Sequence, residues 1–346
     1  MSTNVLCVES LVRKCLIPCA CLLAVLALDA AAQTASASLP APVKQGLYPG
    51  AFSHNRSHPA ISNGYLISFT RHPAVGRPIV FSLSALQDGK QETVVAPIQA
   101  AAFVEDAAVT ADGNIALGGS YRRTSDGAAS NFLAEVSLNG NTVFSVDLGD
   151  YTPERVCVAP DGSVWTLGQQ WPQESGRTPG DYAMLRRFNT AGALTDSYVP
   201  RNLFARAPAL NFHHGANRTA AFLACGTDSV GVYVGAPNTS YWSEVQISGG
   251  KETDSTVVTP PHARVTGLVL FGQRAVYASL IHDSAARDLY RLNFDSAPQT
   301  AWTLLPSGQG NPGVARLLGR DGANLVYFTA PGPVDQPVLY WSAPKR

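Results

Sequence analysis

One short pattern of apolar runs and turns recurs along the chain. Val156 to Ala159 is an apolar run, Pro160-Asp161-Gly162 a turn, and Val164-Trp165 the start of a second run. One interval earlier, Ala108-Val109, Asp112-Gly113 and Ile115-Ala116-Leu117 repeat the arrangement. Asp-Gly between two such runs predicts a β-hairpin, because the turn needs positive φ and Gly supplies it without a Cβ clash. Weaker copies stand at Asn63-Gly64, Asp228-Ser229, Gly272-Gln273 and Asp321-Gly322. With anchors at 63, 112, 161, 228, 273 and 321, the intervals are 49, 49, 67, 45 and 48. The long interval contains an insertion at about 200–217.

A second hairpin follows each of the first five. These run from Pro78 to Val95, Phe132 to Leu148, Met184 to Val199, Trp242 to Val258 and Leu289 to Leu305. Four strands in about 45–50 residues is the period of a propeller blade. The expected fold is therefore all-β, a six-bladed β-propeller. Its last repeat is short, since the strand from Val338 to Ala343 runs almost to Arg346. The segment from Pro42 to Phe52 has no partner of its own. It is expected to supply the missing outer strand, so that an N-terminal strand completes the last blade and closes the ring. Pro40, Pro42 and Pro49 suit an edge strand, which can spare a backbone donor.

The start of the chain reads differently. Arg13 and Lys14 precede an uncharged apolar run, Cys15 to Leu28, and Ala30-Ala31-Ala32 offers small residues for cleavage. That is a signal-peptide pattern, with cleavage expected after Ala32 and Ala37 as the second choice; the run is short for a membrane span. The division is 1–32 signal peptide, 33–53 N-terminal segment with the closing strand, and 54–346 propeller. It places the protein in a secreted or periplasmic compartment, with no later stretch apolar enough to span a bilayer. The chain has no net charge and only 14% charged residues, which gives no reason to expect a nucleic-acid partner.

Of six cysteines, Cys7, Cys15, Cys19 and Cys21 belong to the leader, leaving Cys157 and Cys225 on successive inner strands. They stand four and three residues before their anchors, an offset that turns them toward opposite sheet faces and leaves a bond between them open. Asn55, Asn217 and Asn238 begin glycosylation tripeptides, read as chance matches in a chain with a bacterial-looking leader.

The repeat also sorts the loops. The tight turns lie on one face, and long segments such as Tyr121 to Asn131, Gln169 to Tyr182 and Pro200 to Asn217 lie on the other. All seven histidines fall on the long-loop side. Long loops on a rigid scaffold are where binding sites sit. The richest patch is Trp171, Arg177, Tyr182, Arg201, Phe204, Arg206, Phe212, His213 and His214, aromatic and arginine side chains of the kind that dominate recognition surfaces. Glu105-Asp106 and Glu154-Arg155 stand equally far from their anchors. That spacing puts them at one height around the axial channel mouth.

At Asp161-Gly162-Ser163-Val164-Trp165 and Asp112-Gly113-Asn114-Ile115 the chain resembles the superfamily of six-bladed propellers that includes NHL-repeat, gluconolactonase-like and streptogramin-lyase-like proteins. The resemblance spans about 55–343 and implies the fold. Gluconolactonase-like members hold a divalent metal with Glu and Asn/Asp ligands, including an Asn-Gly-Leu run before a Ser-Pro-Asp-Gly turn. That run is absent before Asp161 and Asp112, and no His/Glu pair matches the lyase type. The expected function is a non-catalytic, exported propeller without a cofactor, which binds an unidentified ligand or protein on its long-loop face. The alternative is a metal-dependent hydrolase or lyase, with His58, Glu105 and Glu154 as ligands of a divalent cation at the channel mouth.

Overall fold

The computed structural model describes residues 44–47, 59–70, 77–98, 102–122, 127–170, 182–204, 220–236, 239–257, 263–282, 287–295, 301–305, 315–329 and 338–342. The chain divides into two units, Met1–Ser38 and Leu39–Arg346, and every described residue belongs to the second. No helix among the described residues is long and apolar enough to cross a membrane.

The described residues form six four-stranded antiparallel sheets. The first holds β2 (Ala60–Ser62), β3 (Tyr65–Phe69), β4 (Ile79–Ala85) and β5 (Gln91–Ala96). The second holds β6 (Phe103–Val109), β7 (Ile115–Arg122), β8 (Ala129–Val136) and β9 (Thr142–Gly149). Then come β10 (Tyr151–Val158), β11 (Val164–Gln170), β12 (Ala183–Phe188) and β13 (Leu194–Pro200). The fourth sheet is β14 (Ala220–Cys225), β15 (Ser229–Ala236), β16 (Thr239–Gln246) and β17 (Glu252–Val257). The fifth is β18 (Ala263–Leu270), β19 (Val276–His282), β20 (Arg287–Leu292) and β21 (Trp302–Leu304). In the sixth, β22 (Ala315–Asp321), β23 (Asn324–Thr329) and β24 (Val338–Ser342) are joined by β1 (Lys44–Leu47). The closing strand pairs antiparallel in the register Lys44 to Trp341 through Leu47 to Val338.

The turns explain why these segments are strands. In the third sheet, Asp161 Oδ1 accepts the amide (3.0 Å) and the hydroxyl (2.6 Å) of Ser163. Ser163 Oγ in turn accepts the Trp165 indole N–H at 2.9 Å. Gly162 takes φ 80°, and Gly113 in the second sheet takes φ 84°. Arg187 reaches from β12 to Asp161 Oδ2 at 2.7 Å and lies over the Trp165 ring. The motif fastens its own hairpin and the next strand. It also seats a fully buried indole between the third and fourth sheets.

The first strands of consecutive sheets meet side by side, and each junction has its own fastener. Between β2 and β6, Val109 N donates to Ser62 Oγ (2.9 Å) while Asn63 Nδ2 donates to Val109 O (2.6 Å). Between β6 and β10, Val156 N donates to Asp106 Oδ2 at 3.0 Å. Between β10 and β14, Arg155 Nε donates to Ala221 O at 3.2 Å, and Cys157 and Cys225 form a disulfide. Past β14, Thr227 N and Oγ1 both donate to Phe271 O, and Gln273 N donates to Asp228 Oδ1. At the fifth junction Leu317 N donates to Ser279 Oγ, and Arg320 reaches Phe271 O. The last junction is steric: a Cβ at Gly319 would stand 2.5 Å from Ile61 Cβ and 2.8 Å from Ile61 O. The sequence of junctions returns to its start, and the chain is an all-β β-propeller.

The disulfide closes a bond that the anchor offsets leave open. Neighbouring sheets stack face to face, so the faces they present to each other are the opposite faces of their own sheets. A one-residue difference in offset is what a bridge between sheets requires. The bond encloses a separation of 68 residues, and its loss should destabilise the fold by up to about 4 kcal/mol on loop-closure entropy. Calorimetry of the Cys157→Ser/Cys225→Ser variant should show a lower Tm than the parent, and reductant should lower the parent's Tm but leave the variant's alone.

A pH dependence follows from Asp161. Burial pushes its carboxyl up, but the Ser163 hydrogen bonds and the Arg187 guanidinium outweigh that and hold it below its ordinary 3.8. A depressed folded-state value contributes stability that is present above 3.8 and lost as pH falls through the lower folded value. Asp161→Ala should therefore unfold at a lower temperature than the parent at neutral pH. The gap should close in melts run progressively below 3.8.

Candidate ligand site on the axis

Ring packing leaves a cavity of about 950 Å³, to which the first strands of all six sheets contribute. Four of those strands carry a β-bulge at a matching place, three or four pairs before the hairpin turn. The extra residues are Glu105 in β6, Glu154 in β10, Thr266 in β18 and Leu318 in β22. A bulge bends its strand and re-aims the side chains around it. Here three of the four extra residues reach the cavity. Glu105, Thr266 and Leu318 line it, whereas Glu154, only 1% exposed, is not part of the lining.

The charged lining is unevenly distributed. Arg264 on β18 and Arg316 on β22 each stand two residues before their bulge, on adjacent strands, and Arg320 lies further along β22 with Asp321 at its end. Arg264 is exposed, and its side chain makes no hydrogen bond or ion pair among the described residues. Arg320 is tied down, its guanidinium donating to Phe271 O and lying over the Phe271 ring, and burial lowers its pKa from the usual arginine value. On the other side of the ring order, β6 contributes Glu105, 9% exposed, and Asp106. Arg155 on β10 is turned toward β14 by its bond to Ala221 O, and its Nη1 donates to Glu154 O at 2.6 Å.

Of the long-loop patch, Trp171, Arg177, Arg206, Phe212, His213 and His214 lie outside the described residues, as does His58. Phe204 is described only as the last residue of a 3₁₀ turn, Arg201–Phe204. Tyr182 and Arg201 are brought together, with Arg201 N donating to Tyr182 O at 2.8 Å. Burial raises the Tyr182 phenol pKa and the Arg201 charge partly offsets it. The pair stands where segments 171–181 and 205–219 leave the third sheet. Among the seven histidines only His282 is described; its Nε2 lies 3.1 Å from the Tyr290 hydroxyl. No three His, Cys, Asp or Glu side chains among the described residues converge in a metal-binding group. Glu105 and Glu154 share a register position, each the extra residue of its bulge and each buried, and only Glu105 lines the cavity.

The sequence reading missed Arg264, Arg316 and Arg320. Their distances from the anchors are nine, five and one residues, so no common spacing marks them. The bulges that align Arg264 with Arg316 leave no residue signature, since Glu, Thr and Leu all occupy that place.

No protein-family model matches the chain, and no curated protein matches it. Among solved structures it is similar to an acylaminoacyl peptidase in complex with Z-Gly-Gly-Phe-chloromethyl ketone, at 11% identity and TM-score 0.45, over 86% of this chain and 53% of that one. It is also similar to the allergen Mala s 1 of Malassezia sympodialis, at 9% identity and TM-score 0.46, over 87% and 96%. The PQQ-bound aldose sugar dehydrogenase of Streptomyces coelicolor matches at 12% identity and TM-score 0.45, over 87% and 99%. The chain thus spans about half the length of the peptidase. At these identities and scores the likeness carries no argument about activity.

The lining predicts a graded reactivity. Phenylglyoxal followed by peptide mapping should modify the exposed Arg264 faster than the tethered, half-buried Arg320.

Proposed function

We propose that this chain is an exported six-bladed propeller that binds a small polar ligand in its axial channel, without catalysis, admitting it from the long-loop side. The observation that carries the reading is a cavity of about 950 Å³ lined mainly by the first strand of each sheet and bearing charges of both signs. Its size is within the range of small-molecule sites, about 300–1,000 Å³. Six sheets with fasteners at six junctions support counting every sheet as a blade. The Cys157–Cys225 bond supports an oxidising compartment, in agreement with the leader-like start. In this reading Trp171 and Arg177 belong to the entrance and the channel walls hold the ligand.

Thr266 tests the reading, because its bulge places it in the lining. A ligand recovered from purified protein by mass spectrometry should bind Thr266→Trp at least about tenfold more weakly, since the indole fills its space. A joint Trp171→Ala/Arg177→Ala change should alter entry more than affinity. Unchanged affinity in Thr266→Trp, with loss in the loop variant, would move the site out to the loops.

A further inference from the structure

A second concavity, of about 400 Å³, lies away from the axis between the second and third sheets. β9 lines it with Val146 and Leu148, β12 with Arg186 and Phe188, and the β12–β13 turn with Ala191 to Leu194. That turn sits close on β9, since a Cβ at Gly192 would stand 2.5 Å from the Phe144 ring. Leu194, at the lip, is 51% exposed. Asp147 also borders the groove, but its Oδ1 is engaged by the Ser130 hydroxyl at 2.7 Å and the Gly149 amide at 2.8 Å.

Two successive arginines on β12 have opposite surroundings. Arg187 meets Asp161 at 2.7 Å and Asp196 at 3.6 Å. Arg186 points to the other face of the sheet, into the groove, and meets no carboxylate among the described residues. Its guanidinium lies over the Tyr151 ring, 3.8 Å from the centroid. That ring is fixed, being buried with its hydroxyl 2.9 Å from Met184 O and 3.0 Å from Thr166 O. The one hydrogen bond of the Arg186 side chain among the described residues is long, Nη2 to Gln170 Oε1 at 3.5 Å, and Nε is buried without a partner. Burial lowers its pKa from the usual arginine value, and no carboxylate raises it again. A half-buried cation short of acceptors is costly, and an anion that supplies them recovers the cost.

We propose that this groove binds an amphipathic monocarboxylate, with its carboxylate on the Arg186 guanidinium and its hydrocarbon tail along Val146, Leu148, Phe188 and Leu194. A guanidinium is planar and suits the two oxygens of a carboxylate, and the Tyr151 ring holds it in place before the ligand arrives. One positive charge among apolar side chains favours a monoanion with a tail: an inorganic anion leaves the walls uncovered, and a second negative charge would be buried without a partner. The volume is within the range of small-molecule sites, about 300–1,000 Å³. The groove is separate from the axial channel, so the proposal stands apart from the channel reading.

The test titrates the full chain with four probes followed by NMR: hexanoate, its neutral analogue hexanamide, acetate, which has no tail, and hexylamine, which has the opposite charge. Hexanoate should bind. Hexanamide should bind about tenfold more weakly, the effect of one charge-assisted hydrogen bond, and acetate at least about tenfold more weakly for want of apolar contact. Hexylamine should bind more weakly than hexanamide. Arg186→Gln should erase the preference for acid over amide. Leu194→Glu leaves Arg186 in place and puts a negative charge at the exposed lip; it should weaken hexanoate at least about tenfold and hexanamide little. Thermal melts matching the parent would show that each variant is folded. No binding of hexanoate by the parent, equal binding of acid and amide, or an acid preference that survives Arg186→Gln would overturn the proposal. Hexanoate binding that Thr266→Trp abolishes and Arg186→Gln leaves unchanged would overturn it as well, and would put the acid in the axial channel.

Discussion

A four-stranded sheet with apolar residues on both faces is stable only when each face is covered. In this chain the neighbour on each side is another such sheet. The first strands carry the constraint because they come closest together. Ser62, Asp106, Arg155, Thr227, Ser279 and Gly319 meet it by different chemistry at successive junctions: hydroxyl, carboxylate, guanidinium, a turn, a second hydroxyl, and the absence of a side chain. Such variety is possible because the junction needs a satisfied backbone group or a close fit, and many residues supply one. Pairing of β1 with β24 then lets the final sheet reach four strands and cover its neighbours.

The same variety explains what could be read from residues alone. Turn chemistry is narrow: Asp161-Gly162 and Asp112-Gly113 admit few alternatives, so hairpins and their period were legible, and the short last repeat pointed to the segment from Pro42 to Phe52, within which Lys44–Leu47 pairs with β24. Bulges admit almost any residue, so the matching of Glu105, Glu154, Thr266 and Leu318 was hidden. With it went the pairing of Arg264 and Arg316 on one wall. The Cys157–Cys225 pair was visible, but offsets counted within single sheets leave the bond open, because only the stacking of neighbouring sheets brings opposite faces together. Glu105 was found from its distance to Asp112. Glu154 had the same distance and the same place in a bulge, but it is more deeply buried and stands outside the lining.

Closure also shapes the cavity. The cavity exists because the inner strands cannot meet at a point, and its lining is whatever those strands present after their bulges. Groups used to fasten junctions, Asp106 and Arg155 among them, also stand in that lining. Changing the polarity of the channel therefore risks loosening a junction. The exceptions are residues such as Arg264, whose exposed side chain makes no hydrogen bond or ion pair among the described residues.

The claim on which all this rests is that the ring is closed by its first strand. Gln45 and Tyr340 stand opposite each other in the β1–β24 register. The direct measurement is oxidative cross-linking of a Gln45→Cys/Tyr340→Cys variant, read by peptide mapping and melting temperature. A closed ring predicts a near-quantitative intramolecular bond and a higher Tm after oxidation. Free thiols at both positions in a folded protein, or a bond only between separate chains, would contradict it.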